Sequence, residues 1–213
     1  MRGLGDSRPM THRSFCRRCI VLLLALAPVA LGVAQSTPLV SWDADTLLTW
    51  SSFQGTPPSN ASQLAEVAAI HMTVKWHADF SVCAHRSGGY SWLGTVQDVV
   101  VSNTMNPRFS WVISSKATPA VLHHEQLHFD LNEAYRRKLE LELSSVQVQG
   151  TTGQGTLDAL DAKIKQTAKL ILDDLSAMQT RFDQETSNGQ NLVAQAQWEA
   201  NIATWLVNPA LVP

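Results

Sequence analysis

Two histidines and a glutamate near the middle of the chain have the spacing of a metal-binding motif. His124, Glu125 and His128 form an H-E-x-x-H sequence. On an α-helix, residues four apart differ by about 40° around the axis and lie one turn apart, so both imidazoles can reach one ion. The pattern is typical of Zn²⁺ sites, in which the glutamate reaches a zinc-bound water and acts as its general base. Zinc lowers the pKa of that water to about 7 and polarises a scissile carbonyl.

The surrounding residues predict that this motif lies on one long helix. Thr118 is a good N-cap residue, and Pro119 suits the first helical position, where its missing N–H does no harm. No helix breaker occurs from Ala120 to about Leu143. The helical context that the motif requires is therefore predicted independently of the motif.

A zinc site needs a third protein ligand, and the same helix does not supply one. Asp130 and Glu133 lie about 240° and about 180° around the helix from His124, away from the ligand face. We interpret both as second-shell groups, which support a metal site without binding the ion.

The end of a second predicted helix is the better source of the third ligand. It is rich in oxygen ligands and stops at a turn, Asn188-Gly189, that can face the first helix. The candidates there are Asp183, Glu185 and Asn188. A third ligand from the β-rich half stays an alternative, with His71, His77 and His85 as the possible residues.

Hydrophobic periodicity divides the rest of the chain into a sheet half and a helical half. Residues 38–115 contain short β-like segments at 69–76, 95–101 and 109–113, with a turn predicted at 87–89. Residues 118–207 have helical periodicity, with a flexible connector at 150–155. The expected fold is α+β: a small, mostly antiparallel sheet, then the long H-E-x-x-H helix and two further helices, in a zincin-like domain.

The first 34 residues differ in kind from the remainder. They carry five arginines and one aspartate, followed by a 14-residue apolar run at 20–33. This pattern predicts a secretory signal peptide, 1–34, before a single domain, 35–213. The full chain has 16 basic and 18 acidic residues, so removing the signal leaves 11 and 17 and a net charge of −6.

The charge and the hydrophobicity of the sequence limit the partners and the cellular compartment that we expect. An acidic domain gives no electrostatic basis for nucleic-acid binding. No second apolar stretch is long enough to span a membrane once the signal is removed. We therefore expect a secreted or periplasmic protein, in which Cys83 is the one remaining cysteine and cannot form an internal disulfide.

Four segments carry a resemblance to a known family. They are LTWSSFQGTPP at 48–58, the strand-like 105–112, LHHEQLHFDL at 122–131 and FDQETSNG at 182–189, with Gln197-Trp198 beyond. Together they resemble a bacterial family of predicted secreted zinc-dependent proteases, long known as a domain of unknown function. The resemblance implies proteolysis of a peptide or protein substrate. Members of that family often have a histidine directly before the glycine, where this chain has Asn188.

Two hypotheses follow. The first is a secreted zinc-dependent metallohydrolase of the peptidase type, with His124 and His128 as ligands and Glu125 as general base. The alternative is a non-catalytic exported module that binds a metal or a protein, a degenerate relative of the proteases. Asn188 motivates the alternative, because asparagine is a poor zinc ligand.

Overall fold

Six strands and three α-helices make up the described part of the chain. The computed structural model describes residues 37–86 and 90–213. The predicted signal peptide and the predicted turn at 87–89 lie outside the described residues. The strands are β1 Val40–Ser41, β2 Ala68–Ala69, β3 Met72–Arg86, β4 Tyr90–Met105, β5 Trp111–Val112 and β6 Gln147–Gly150. The helices are α1 Pro119–Ser144, α2 Gly153–Thr186 and α3 Leu192–Val207.

The larger sheet is antiparallel and centred on β4. β3 pairs with β4 along its whole length, from Met72 opposite Met105 to Arg86 opposite Tyr90. β1 and β6 pair with two separate stretches of β4, also antiparallel. β2 and β5 form a separate two-stranded antiparallel sheet. The predicted α+β class, an antiparallel sheet followed by three helices, is confirmed.

β3, β4 and the second helix are longer than their predicted segments, whereas the segment predicted at 109–113 contains only the two residues of β5. β3 and β4 have 15 and 16 residues, because polar side chains on an exposed face do not interrupt a ladder made by backbone groups. The connector predicted at 150–155 is shorter than expected and consists of residues 151–152. Gly150 ends β6, and α2 begins at Gly153, where the Thr152 side chain accepts a hydrogen bond from the backbone N–H of Gly155.

The main core lies between the helices and the large sheet. α1 contributes Leu131, Tyr135 and Leu139, each at most 1% exposed, and α2 contributes Leu160 and Ile164. A second, smaller cluster consists of Leu48, Phe53, Met105 and Phe129. α1 therefore has packed neighbours on opposite faces, which holds its position relative to both the sheet and α2.

No helix in the described part of the chain combines the length and the apolar character that crossing a membrane requires.

Candidate metal centre

The first helix carries an unusual run of buried polar residues. Its N-cap is Thr118, whose side chain accepts a hydrogen bond from the N–H of Val121, and Pro119 is the first residue, as predicted. From His124 to His128 every residue is buried, although four of the five are polar. Buried polar side chains need partners. The hydrogen-bond partners of the His124 and His128 side chains lie on α2.

His124 and His128 lie one turn apart and present the same ring nitrogen to one point. Their Nε2 atoms are 3.1 Å apart, and their ring centroids are 4.6 Å apart. Asp183 of α2 completes the group. Its Oδ1 lies 3.1 Å from Nε2 of His124 and 2.8 Å from Nε2 of His128. We call these three residues the ligand cluster.

The ligand cluster could hold a metal ion. Its three ligand atoms, two imidazole nitrogens and one carboxylate oxygen, all lie within 4.8 Å of one another. Two nitrogens and one oxygen are a donor set that zinc sites of hydrolases use. The histidines are buried, and Asp183 is partly exposed, so the cluster has one accessible side.

Hydrogen bonds and burial act in opposite directions on the three ionisable groups. Burial lowers the pKa of His124. Burial also acts to lower the pKa of His128, but the Asp183 hydrogen bond and the nearby charges of Glu125 and Asp183 outweigh it, so that pKa is raised. Burial acts to raise the pKa of Asp183, but hydrogen bonds with both histidines hold it well below its usual range. The carboxyl group of Asp183 is therefore ionised at neutral pH.

Gln179, one turn before Asp183 on α2, fixes the orientation of His128. Its Oε1 lies 2.6 Å from Nδ1 of His128, and its Nε2 donates to the backbone oxygen of the same residue at 3.0 Å. Because the amide oxygen can only accept, Nδ1 carries a proton, and Nε2 is the nitrogen that keeps a free lone pair when the ring is neutral. This tautomer is the one that a metal ion between the histidines requires.

Phe182 packs against both histidines from α2. Its ring stacks on His124, with centroids 4.6 Å apart and planes 19° apart, and meets His128 edge to face at 4.7 Å. Trp198 of α3 contacts Phe182 from behind, at 5.4 Å. These aromatic contacts restrict rotation of the imidazoles.

Glu125 is buried next to the ligand cluster and has an unusual acidity. It is 3% exposed. Burial raises its pKa to about 7, while the charge of His128 and a hydrogen bond with the backbone of Ile70 act in the opposite direction. A carboxyl group with a pKa near neutrality can both take up and release a proton at the pH of most biological compartments.

A cleft of about 250 Å³ opens onto the ligand cluster. Residues 66–70 and Met72 line it, together with Val121, Glu125, Gln179, Asn188 and the ligand cluster. This surface is hereafter the cleft. The three ligands and the carboxyl group of Glu125 are therefore reached from one opening.

The other two candidates for the third ligand have different surroundings. Glu185 accepts hydrogen bonds from Arg181 Nε at 2.7 Å and from Trp198 Nε1 at 2.8 Å. Asn188 lines the cleft in a left-handed conformation, with φ of 51°, and its N–H donates to the backbone oxygen of Asp183 at 2.9 Å. The structure brings Asp183, and not Glu185, to the two histidines.

The two acids of the first helix that we interpreted as second-shell groups have partners elsewhere. Asp130 accepts hydrogen bonds from Trp42 Nε1 and Gln126 Nε2, both at 2.8 Å. Glu133 accepts from the Nε atoms of Arg136 and Arg137, both at 2.9 Å. Neither acid contacts a ligand histidine.

The histidines of the β-rich half are also separate from the ligand cluster where their side chains are described. The backbone N–H of His71 donates to Ser110 Oγ, and its ring contacts Phe109. His77 forms an exposed pair with Asp79. The side chain of His85 lies outside the described part of the chain.

Sequence reasoning did not identify Gln179 or Phe182 as parts of this site. The helical period provides a signal for both, because residues three and four apart lie on one helix face. Gln179, Phe182 and Asp183 have that spacing, so choosing Asp183 as the ligand would also have predicted the other two as its neighbours.

Comparison with known families identifies the group to which the chain belongs. Residues 56–190 match the family model DUF922, described as a bacterial protein of unknown function. The chain belongs to the DUF922 family. The matched segment contains the whole ligand cluster, Glu125 and Asn188. No curated protein and no solved structure matches the chain.

Proposed function

We propose that this DUF922 protein is a zinc-dependent hydrolase of the peptidase type that acts outside the cytoplasm. The observation that carries the proposal is the convergence of His124, His128 and Asp183 on one point, with the buried carboxyl group of Glu125 in the same cleft. The compartment follows from the predicted signal peptide.

The donor set supports zinc. Two neutral imidazoles and a carboxylate match the two-histidine, one-carboxylate ligand sets of zinc peptidases, which leave a position open for water or substrate. A bound Zn²⁺ would supply a Lewis acid and a water made acidic enough to ionise near neutral pH. His124, His128 and Asp183 would hold the ion, and Gln179 would keep His128 in the required tautomer.

Glu125 supplies the proton chemistry in this proposal. Its carboxylate accepts a proton from the attacking water and later returns that proton to the leaving amine. A pKa raised to about 7 by burial suits both steps, because the group then changes charge close to the working pH. Its low exposure also limits exchange of that proton with bulk water.

The edge of β2 supports a peptide as the substrate. Hydrogen-bonded and non-bonded pairs alternate along an antiparallel ladder. Val67 accepts a hydrogen bond from Ile113 beside β5, so Ala68 directs its own N–H and C=O away from β5. Ala68 and Ile70 line the cleft. An extended peptide can pair with such a strand edge through its backbone, which places a peptide bond next to Glu125.

Three preparations test this proposal. Purified mature protein should contain close to one zinc per chain and hydrolyse members of a diverse peptide library. Glu125→Gln should retain the zinc and lose the hydrolysis, and a chelator should abolish hydrolysis in the wild type. Asp130→Asn, a change in a partly buried acid of the same helix whose hydrogen bonds go to Trp42 and Gln126, should keep both properties. Full zinc occupancy without hydrolysis of any peptide would contradict the proposed peptidase activity.

The second candidate is a non-catalytic exported module that binds a metal or a protein. It is favoured by Asn188, at the position where the resemblance to the protease family implies a histidine. Under this alternative the wild type and Glu125→Gln would bind zinc and partners equally well, and neither would hydrolyse peptides. A metal-free preparation whose thermal stability does not change with zinc would favour a module that binds protein alone.

A further inference from the structure

Two polar atoms beside the ligand cluster are buried without a hydrogen-bond partner among the described residues. They are Nδ1 of His124 and Oε1 of Gln195. Both residues are 3% exposed. Buried polar atoms without partners are rare in folded proteins, and each one calls for an explanation.

The two atoms belong to side chains that approach each other at Gly189. This glycine has φ of 82°. A Cβ atom placed on it would lie 3.1 Å from Cγ of His124 and 3.4 Å from Oε1 of Gln195. Only a residue without a side chain leaves this space open between the imidazole and the amide.

The surroundings of His128 show what such an amide does at this site. There Gln179 places its oxygen 2.6 Å from Nδ1 and leaves Nε2 facing Asp183. Nε2 of His124 faces the same carboxylate oxygen. Its Nδ1 must therefore carry the proton when Nε2 binds a metal, and Nδ1–H needs an acceptor. Oε1 of Gln195 is an acceptor that lacks a donor among the described residues, so it can meet this need.

We propose that Gln195 is a positioning residue of the metal centre, with its Oε1 accepting a hydrogen bond from Nδ1–H of His124 when the ion is bound. The two ligand histidines then have equivalent supports, Gln179 from α2 and Gln195 from α3. Gln195 lies beyond the segment matched by the family model, 56–190. α3 is accordingly part of the metal site. The inference rests on metal binding, and not on hydrolysis.

The test is the affinity of the full mature chain for Zn²⁺ and Co²⁺, measured by competition with a chromophoric chelator. Gln195→Leu should bind both ions about 10- to 100-fold more weakly, the loss typical of removing a hydrogen bond to a ligand histidine. Gln179→Leu should lose a similar factor through His128. Gln195→Glu should restore the affinity, because a carboxylate oxygen accepts the same hydrogen bond. Gln197→Leu, a change at an exposed position of the same helix, is the matched control and should bind like the wild type.

A structural role alone would not produce this pattern. The Co²⁺ absorption spectrum and the ¹⁵N chemical shifts of the His124 ring report its orientation and tautomer directly. Both should change in Gln195→Leu and return in Gln195→Glu. Wild-type affinity and spectra in Gln195→Leu, with weakened binding in Gln179→Leu, would overturn the inference and leave the metal centre intact. A wild type that binds neither ion would overturn both, whereas zinc binding without peptidase activity would contradict only the proposed catalysis.

Discussion

The choice of Asp183 as the third ligand predicts how zinc stabilises two variants of neighbouring acids. In Asp183→Ala the site loses its one charged ligand, whose oxygen lies 2.8 and 3.1 Å from the two imidazole nitrogens. Glu185→Ala removes a carboxylate two residues later that instead binds Arg181 and Trp198. The two substitutions remove similar charge and bulk from one helix.

The expected magnitudes follow from binding linkage. At free zinc 100 times the wild-type Kd, binding stabilises the folded state by about 2.7 kcal/mol. For a domain of this size that raises Tm by roughly 5–11 °C, taking 2–4 °C for each kcal/mol. Loss of a residue that binds the ion itself should weaken binding by at least ~100-fold, the upper limit for removing a group that only supports a ligand. At the same free zinc concentration Asp183→Ala is then at most half occupied, so zinc stabilises its folded state by no more than about 0.4 kcal/mol.

Differential scanning calorimetry of the metal-free proteins, with and without zinc at that fixed concentration, measures the effect. We expect a rise of several degrees for the wild type and for Glu185→Ala, and no more than 1–2 °C, roughly, for Asp183→Ala. A zinc-induced rise in Tm as large as that of the wild type in Asp183→Ala would refute the assignment of Asp183 as the third ligand. So would the absence of that rise in Glu185→Ala.

Three further predictions concern other buried groups. Glu125→Gln should lower kcat for peptide hydrolysis by about 10²- to 10⁴-fold at unchanged zinc content, the typical contribution of general acid–base catalysis; a smaller loss in steady-state assays would exclude it as the base. Burial raises the pKa of Tyr135 to about 12, and its hydroxyl has no hydrogen-bond partner among the described residues. The folded state keeps the phenol proton up to that pH, whereas the unfolded state loses it near pH 10, so wild-type stability should fall between pH 10 and 12 by about 2–3 kcal/mol relative to Tyr135→Phe. Urea unfolding at pH 8 and pH 11.5 checks this, and parallel pH profiles would contradict it. Glu133→Gln leaves two arginines without their shared buried carboxylate and should lower the free energy of unfolding by about 3 kcal/mol. Lys165→Gln, in an exposed pair, should lower it by less than about 1 kcal/mol, and equal losses in urea titrations would refute the distinction.

Local signals were sufficient to predict α1. Its N-cap, its proline and the H-E-x-x-H spacing all depend on residues within a few positions of one another, and the structure reproduces them from Thr118 to His128. The length of β3 was underestimated although the sequence carries a signal for it. His77 and Asp79 are exposed positions in an alternation whose apolar members, Trp76, Ala78 and Phe80 among them, pack against the core. Side-chain polarity indicates which face of a strand is exposed, and says little about where pairing stops.

The third ligand depends on the angular position of one helix relative to another, and a single sequence does not contain that information. Asp183 and Glu185 differ by about 200° around the axis of α2, so only one of them can face α1. Phe182, directly before Asp183, is buried against the histidines. Asn188 follows the end of α2, where the left-handed turn at 187–189 determines its direction. The third ligand could therefore be chosen only once the packing of α1 against α2 was known.

The most direct test of the metal centre is X-ray diffraction from zinc-soaked crystals of the mature protein, recorded on both sides of the zinc absorption edge. We predict one anomalous peak, about 2.0–2.2 Å from Nε2 of His124, Nε2 of His128 and a carboxylate oxygen of Asp183, with a solvent-derived ligand facing Glu125. An ion bound by Glu185 or Asn188 in place of Asp183, or no peak between the two histidines at saturating zinc, would contradict the account.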